Sequence, residues 1–543
     1  MSSSADIVSP RPPPSSPAAA PPRAWSRELV IAIWALVVVG AVLRVVRYAA
    51  DRSLWGDEGA LALNLIGKPL GDLLGTLDFQ QGAPTGFLVA EKAAVAALGE
   101  AETALRLVPL LSGLVSLVLF LFLVRRALSP FGALVAMALF ALSEPLVYYS
   151  SEVKQYESDV AVATGIALAA VAIDWRRVTW PRGVAIAAGG ALAGWLSHPA
   201  LIVLGAAAAA LLADALLRRA RHELRILVAL SAVWALSGIG ALIVNRSNAE
   251  DVAEAALAAE GTGASRLQAV EDAWDAYAEV VGVADTATAL AAVVSLAGLL
   301  GLWSRHRRAA LLLVVPLVLA VTVSLVGLYP SSARFYLFLA PLLIALIGEG
   351  AAVALRACRG LRAALAPVLA GIGLLLLYPT AVAADNLLRP PGHEEVRTVL
   401  RYVDANWRPG DTLWVWYQSQ YPLRYYALCD ECDVLESDLV SVLAPADPFD
   451  APGISAAQSD PPSFYMSDES THAIEALAAN LQAIAGKPRV WLVFSSTWDD
   501  GFARQQLDCL GRRLDEVRAM RAVGYLYDLS RAPGGPSCPA PAA

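Results

Sequence analysis

Apolar runs of about 20 residues recur along this chain, each long enough to cross a ~30 Å hydrocarbon core as a helix. They lie at about 29–46, 105–124, 130–148, 157–173, 182–197, 199–217, 224–244, 285–303, 309–328, 335–355 and 363–382. The pattern predicts a mainly α, polytopic transmembrane helical bundle of about eleven spans. The first run is too long for a signal-peptide core and is kept as an uncleaved span. Composition agrees: the 543 residues are 57% hydrophobic and only 17% charged, against about 25% charged in soluble proteins. No basic block or zinc spacing points to nucleic acid.

Between the runs the pattern changes. Residues 1–27 are rich in Ser, Pro and Ala and predict a disordered cytoplasmic tail. Residues 28–385 form the membrane domain, with outer loops at 48–104 and 246–284. Residues 386–543 are long enough for a small α/β domain of their own. Glu394 to Asn406 reads as a helix, and 412–417 and 489–494 as buried strands; Ser437 to Ser470 reads as a long loop. Helical spacing of Leu267, Val270, Trp274, Tyr277 and Val281 predicts an amphipathic helix in the second outer loop. Further amphipathic helices are expected in the first.

Charge fixes a direction. Arg125-Arg126, Arg176-Arg177, Arg218 to Arg221, Arg305 to Arg308 and the trio Arg356, Arg359 and Arg362 fall at alternate ends of the runs. They share one side if the N-terminus is cytoplasmic and the C-terminal domain extracytoplasmic. Arg44 and Arg47 are the exceptions. Four of the five cysteines, Cys429, Cys432, Cys509 and Cys538, then lie outside, where an even count favours disulfides.

With that orientation, polar residues from five separate places converge on the outer face: Asp57 and Glu58, Gln80 and Gln81, the stretch Tyr148 to Tyr156 with Tyr149, Glu152 and Lys154, His198, and Arg334. Each has a bland alternative. The acids could favour a helix N-terminus, the cations could snorkel to headgroups, the tyrosines could form an interfacial belt, and His198-Pro199 could be a turn. Carboxylates held at a bilayer edge are nevertheless costly and usually functional.

Trp55-Gly56-Asp57-Glu58 after span one, Glu102-x-x-x-Arg106 opening span two, Tyr149-Ser150-Ser151-Glu152-x-Lys154-x-Tyr156 after span three, and Arg334-Phe335-Tyr336 with Pro341 near span ten form one set. Over residues 29–350 the sequence resembles the dolichyl-phosphate-mannose–protein mannosyltransferase superfamily of GT-C glycosyltransferases. The resemblance implies an inverting transfer from a polyprenyl-phosphate-sugar lipid donor to a cell-envelope glycan, lipid or protein acceptor. It implies a bacterial inner-membrane setting, with Asp57 as general base. Arg334 and Lys154, with Tyr156, would hold the donor phosphate, the Arg fork fitting its oxygens best. Tyr149, Glu152, His198 and Gln81 would contact acceptor or sugar.

Gln81 stands where several relatives place an acid or His before a Pro-Pro pair. Glutamine is a poor zinc ligand, though its carbonyl suits harder cations; a divalent metal would be left with Glu58, and then Glu152, as acidic ligands. Two other classes compete. A transporter or lipid flippase would place its ionisable groups near the bilayer midplane. A sensor or scaffold acting through the outside domain leaves the first-loop acids unexplained.

Overall fold

The structure, a computed structural model, describes residues 25–246, 266–330, 332–358, 361–390, 392–436, 439, 464–466, 481, 484–495 and 501–530. Most of the N-terminal tail, the acidic residues from Glu250 to Glu260, most of the Ser437–Ser470 stretch and Cys538 lie outside the described residues.

Helices occupy every apolar run. In chain order they are α1 (Arg27–Ala49), then α2 (Gly56–Gly67), α3 (Leu70–Leu73), α4 (Thr85–Leu98) and α5 (Glu102–Leu105) of the first outer loop. The bundle continues with α6 (Leu107–Ala127), α7 (Pro130–Leu142), α8 (Glu144–Tyr149), α9 (Tyr156–Ala172), α10 (Trp180–Leu196), α11 (Ala200–Leu217) and α12 (Arg221–Val244). After the second outer loop come α13 (Arg266–Val281), α14 (Asp285–Arg305), α15 (Arg307–Leu325), α16 (Ala340–Ala357) and α17 (Arg362–Leu388). Eight helices among the described residues are long and apolar enough to cross a membrane, and the chain is a multi-pass membrane protein.

Two runs differ from their expected outlines. The run 130–148 is broken at Ser143, whose backbone is extended, and helix resumes at Glu144-Pro145. Proline within the first helical turn starts a helix well, but its ring disfavours helical backbone just before it. The span expected from 335 begins instead as a tight 3-10 turn, Ala333–Leu339, and becomes α-helical at Ala340-Pro341. Both breaks sit at the end of the bundle that carries Asp57 and supply the irregular backbone on which the site is built.

The exceptions to the charge pattern also resolve. Arg44 and Arg47 are 0% and 2% exposed inside the bundle. Arg44 lies 3.9 Å from Glu157 and donates to the Gly40 carbonyl, while Arg47 stacks on the Tyr148 ring. They are interior groups, so the rule for loop charges does not apply to them. At the opposite end of the bundle, buried Glu349 accepts from Ser129, Arg305 and Arg356 and ties three helix ends together.

The C-terminal region carries a five-stranded sheet in the order β2-β1-β3-β5-β4, from β1 (Thr412–Val415), β2 (Phe464–Met466), β3 (Val490–Ser495), β4 (Arg512–Ala519) and β5 (Ala522–Asp528). The first three are mutually parallel, and β4 and β5 form an antiparallel hairpin added at one side. The predicted helix is α18 (Val396–Ala405), and α19 (Gln420–Leu428) follows β1; α20 (Gly501–Leu510) precedes β4. Cys429 and Cys432 are disulfide-bonded to each other, and Cys509 is disulfide-bonded too.

This region shares one apolar core with the first outer loop: Leu61, Leu65 and Phe87 pack in the same cluster as Val399, Leu423 and Trp491. Helix α2 meets α19 closely enough that a Cβ on Gly59 would lie 2.6 Å from the Pro422 nitrogen. Arg397 adds ion pairs to Asp51 and Glu102, and Tyr426 donates to Glu102. Gly59→Ala is therefore expected to lower unfolding stability by about 1–3 kcal/mol through overpacking, whereas Gly71→Ala, with nothing near it, leaves stability unchanged. Thermal unfolding of the detergent-solubilised variants checks this; equal melting would place the contact elsewhere.

Candidate active site

Helix α2 starts at Gly56 behind an extended Trp55, so Asp57 and Glu58 occupy its first turn, where the helix dipole favours carboxylates. Neither acts as the N-cap. Successive helical residues point about 100° apart, and this divides the pair. Glu58 is 0% exposed, and Asp57 opens to a crevice.

Glu58 is a structural partner. Arg106, at the entrance of α6, grips it in a two-point fork, Nε to Oε1 at 3.0 Å and Nη2 to Oε2 at 2.7 Å. The Val153 backbone N–H also donates to Oε1 at 2.8 Å. Arg106 donates as well to the carbonyls of Arg52 and Ser53, so it joins α2, α6 and the chain leaving α1. Losing one member of such a buried pair costs about 3–5 kcal/mol.

Asp57 is held by three side chains. Lys154 Nζ lies 2.9 Å from Oδ1, Arg334 Nη1 2.9 Å from Oδ2, and Gln81 Nε2 donates to Oδ1 at 3.3 Å. Gln81 turns its carbonyl to Lys154 at 2.6 Å and so links base and cation. Positive backbone angles at Phe79 and Gln80 bend the chain to present it. Lys154 comes from the loop between α8 and α9, and Arg334 from the 3-10 turn before α16. Burial works to raise the Asp57 pKa, but Lys154 and Arg334 outweigh it and hold the carboxyl at about 2. Burial in turn pulls Lys154 below the usual lysine range, with Asp57 opposing.

The other sequence candidates divide. Tyr149 and Tyr156 meet edge to face at 5.1 Å, and Tyr156 meets Phe335 at 5.7 Å, an aromatic wall leading to Arg334. Glu152 is turned from Asp57: its oxygens receive Trp55 Nε1 at 2.7 Å and face Arg52 at 3.4 Å. Burial and the nearby Glu58 raise its pKa, with Arg52 opposing. His198 sits at the α10–α11 turn, its Nε2 buried without a partner and its pKa pushed by burial to about 4. No contact joins it to Asp57. Arg52 and His393, which stacks on Trp55 at 4.3 Å, were not singled out from sequence. Both look there like ordinary surface polar residues.

The donor set does not suit a divalent cation. Every oxygen of Asp57 and Glu58 already faces a cationic side chain, and Gln81 offers Asp57 its N–H side. Among the described residues no three His, Cys, Asp or Glu side chains converge.

No family model matches the sequence, and no curated protein does. Solved structures do. The oligosaccharyltransferase of Archaeoglobus fulgidus in complex with zinc and sulfate is 13% identical, with a TM-score of 0.50 over 90% of this chain and 72% of that one. The same archaeal enzyme, AglB, with an inhibitory peptide and a dolichol-phosphate gives 0.51 over 92% and 74%, again at 13% identity. ArnT from Cupriavidus metallidurans in the apo state is 13% identical, with a TM-score of 0.47 over 93% of this chain and 99% of that one. At these identities the likeness to AglB is one of architecture, and the chain has the GT-C fold.

Proposed function

We propose that this protein is a membrane glycosyltransferase that moves a sugar from a polyprenyl-phosphate donor to an acceptor at the extracytoplasmic face, with inversion. The observation that carries the reading is Asp57 held between Lys154 and Arg334 in a half-open crevice. A lipid phosphate offers the same oxygens to the same two cations as Asp57 does. AglB, of the same fold, has been solved with a dolichol-phosphate.

In the reaction, an acceptor hydroxyl attacks the anomeric carbon and forms the new glycosidic bond. The bond from that carbon to the phosphate oxygen breaks, and its electron pair leaves on the polyprenyl phosphate. The hydroxyl proton passes to Asp57. Arg334 and Lys154 stabilise the charge developing on the phosphate. While both cations face Asp57 it is ionised but only weakly basic; phosphate arriving at them neutralises their pull and strengthens the base. Glu58 and Arg106 act by fixing the turn that carries Asp57. A transporter reading fits less well, since the charged groups gather at the outer end of the bundle.

The orientation rests on charge. Arg305 and Arg356 cluster on Glu349 at the end away from Asp57, and basic loops favour the cytoplasm. This charge pattern supports an outer-face site, and the reading takes the membrane to be a bacterial inner membrane.

Two experiments test the reading. Purified protein is incubated with a panel of radiolabelled polyprenyl-phosphate sugars and membrane acceptors; one donor should lose its label. Asp57→Asn should lower that transfer by about 10²–10⁴-fold in protein that is still folded and membrane-inserted, and near-normal turnover would remove Asp57 as base. The second concerns pH. A depressed pKa means that the ionised base is present above about pH 2 and is lost as pH falls through it. Lys154→Met leaves the burial and removes a cation, so the acid limb of kcat/KM should move up toward or past the ordinary value of about 3.9. An unmoved limb would separate Lys154 from the base.

A further inference from the structure

One face of α9 changes character along its length. Gln155, at its start, and Asp159 are followed at helical spacing by Val162, Ile166 and Ile173. The lower three line a half-open apolar chamber of about 330 Å³ walled also by α10, α11 and α12. From Val162 to Ile173 this face runs about 16 Å, over half of a ~30 Å hydrocarbon core. Leu192, 58% exposed, stands at its rim, so the chamber communicates with the lipid between helices.

The outer end is polar and incompletely bonded. Gln155 and Asp159 are each 6% exposed, yet Gln155 Oε1 and Asp159 Oδ1 have no hydrogen-bond partner, and neither has His198 Nε2. Ser197, next to the chamber-lining Leu196, hydrogen-bonds Asp159, so these groups cap the chamber. Buried polar atoms of this kind are costly and ask for a partner. The cap is continuous with the crevice: Gln155 Nε2 donates to the Gly82 carbonyl, and Gln81 touches both Asp57 and Lys154.

We propose that this slot seats the acceptor, and that the acceptor is a lipid: a single apolar chain in the chamber and a hydroxyl-bearing head among Gln155, Asp159 and His198. The proposal rests on the transferase reading of Asp57 and names its second substrate. The unpartnered atoms of Gln155 and Asp159 are an amide carbonyl oxygen and a carboxyl oxygen. They match hydroxyl donors, whereas a phosphate finds its cations at Lys154 and Arg334, which Asp57 already engages. Gln81, which touches Asp57 and Lys154, and Gly82, which accepts from Gln155, then link the acceptor head to the base that takes the hydroxyl proton.

Gly189 gives a clean perturbation. It lines the chamber, and a Cβ added there meets nothing within 4 Å, so Gly189→Phe places a bulky ring at the chamber wall without a clash at its Cβ. The full chain in nanodiscs is photolabelled with two probes, a diazirine-bearing long-chain alkyl glucoside and a diazirine-bearing isoprenyl phosphate. The glucoside should label peptides from α9 and α10, and labelling should fall about tenfold in Gly189→Phe, equivalent to ~1.4 kcal/mol. Labelling of these helices by the isoprenyl phosphate instead would make the chamber the donor's seat and overturn the proposal. Equal glucoside labelling in the variant would reduce it to ordinary bilayer contact, and no labelling would also overturn it. Binding is read without turnover, so Asp57→Asn should still take up the glucoside. Labelling that persists while no donor loses its sugar would sink the transferase reading and leave the lipid slot.

Discussion

One end of the helical bundle is organised by one carboxylate between two cations. Asp57, Lys154 and Arg334 come from α2, the α8–α9 loop and the turn before α16, separated by up to 277 residues. An isolated charge here would be expensive to bury. As a trio they are tolerable, and the arrangement carries a net positive charge that an arriving phosphate can share. In the proposed reaction, the contact that stabilises the resting site is also the one a donor rearranges.

Such a site has to be held from behind. Glu58 and Arg106 supply that support, because their buried fork ties the first turn of α2 to α6. The C-terminal region adds a second brace: the Gly59–Pro422 approach presses α19 against α2, and Arg397 anchors the helix after α17 to Asp51 and Glu102. Neighbouring acids therefore have opposite duties. Asp57 faces the crevice, and one residue later Glu58 faces the core.

Much of this was legible in sequence, for identifiable reasons. Apolar length alone located the helices, and the Asp57-Glu58 pair, Lys154 and Arg334 drew attention as charges at membrane edges. Charge type could not tell which acid was paired to what. Glu152 is expected to contact acceptor or sugar, and its oxygens are engaged by Trp55 and Arg52; His198 lies at the turn between α10 and α11, where the sequence places it. The hairpin of β4 and β5 escaped notice because Arg512, Arg513, Asp515 and Glu516 make an exposed edge strand that lacks the apolar pattern of a buried one. The shared core between the tail and the first outer loop is a long-range contact, which no local period records.

The central claim is that Lys154 and Arg334 are the seat of a lipid phosphate and that Asp57 is released when it is filled. An experimental structure of the protein with a polyprenyl phosphate tests this most directly. The account predicts phosphate oxygens within hydrogen-bond reach of Arg334 and Lys154, with at least one of their ion pairs to Asp57 opened. A phosphate bound elsewhere, with both of those ion pairs intact, would contradict it.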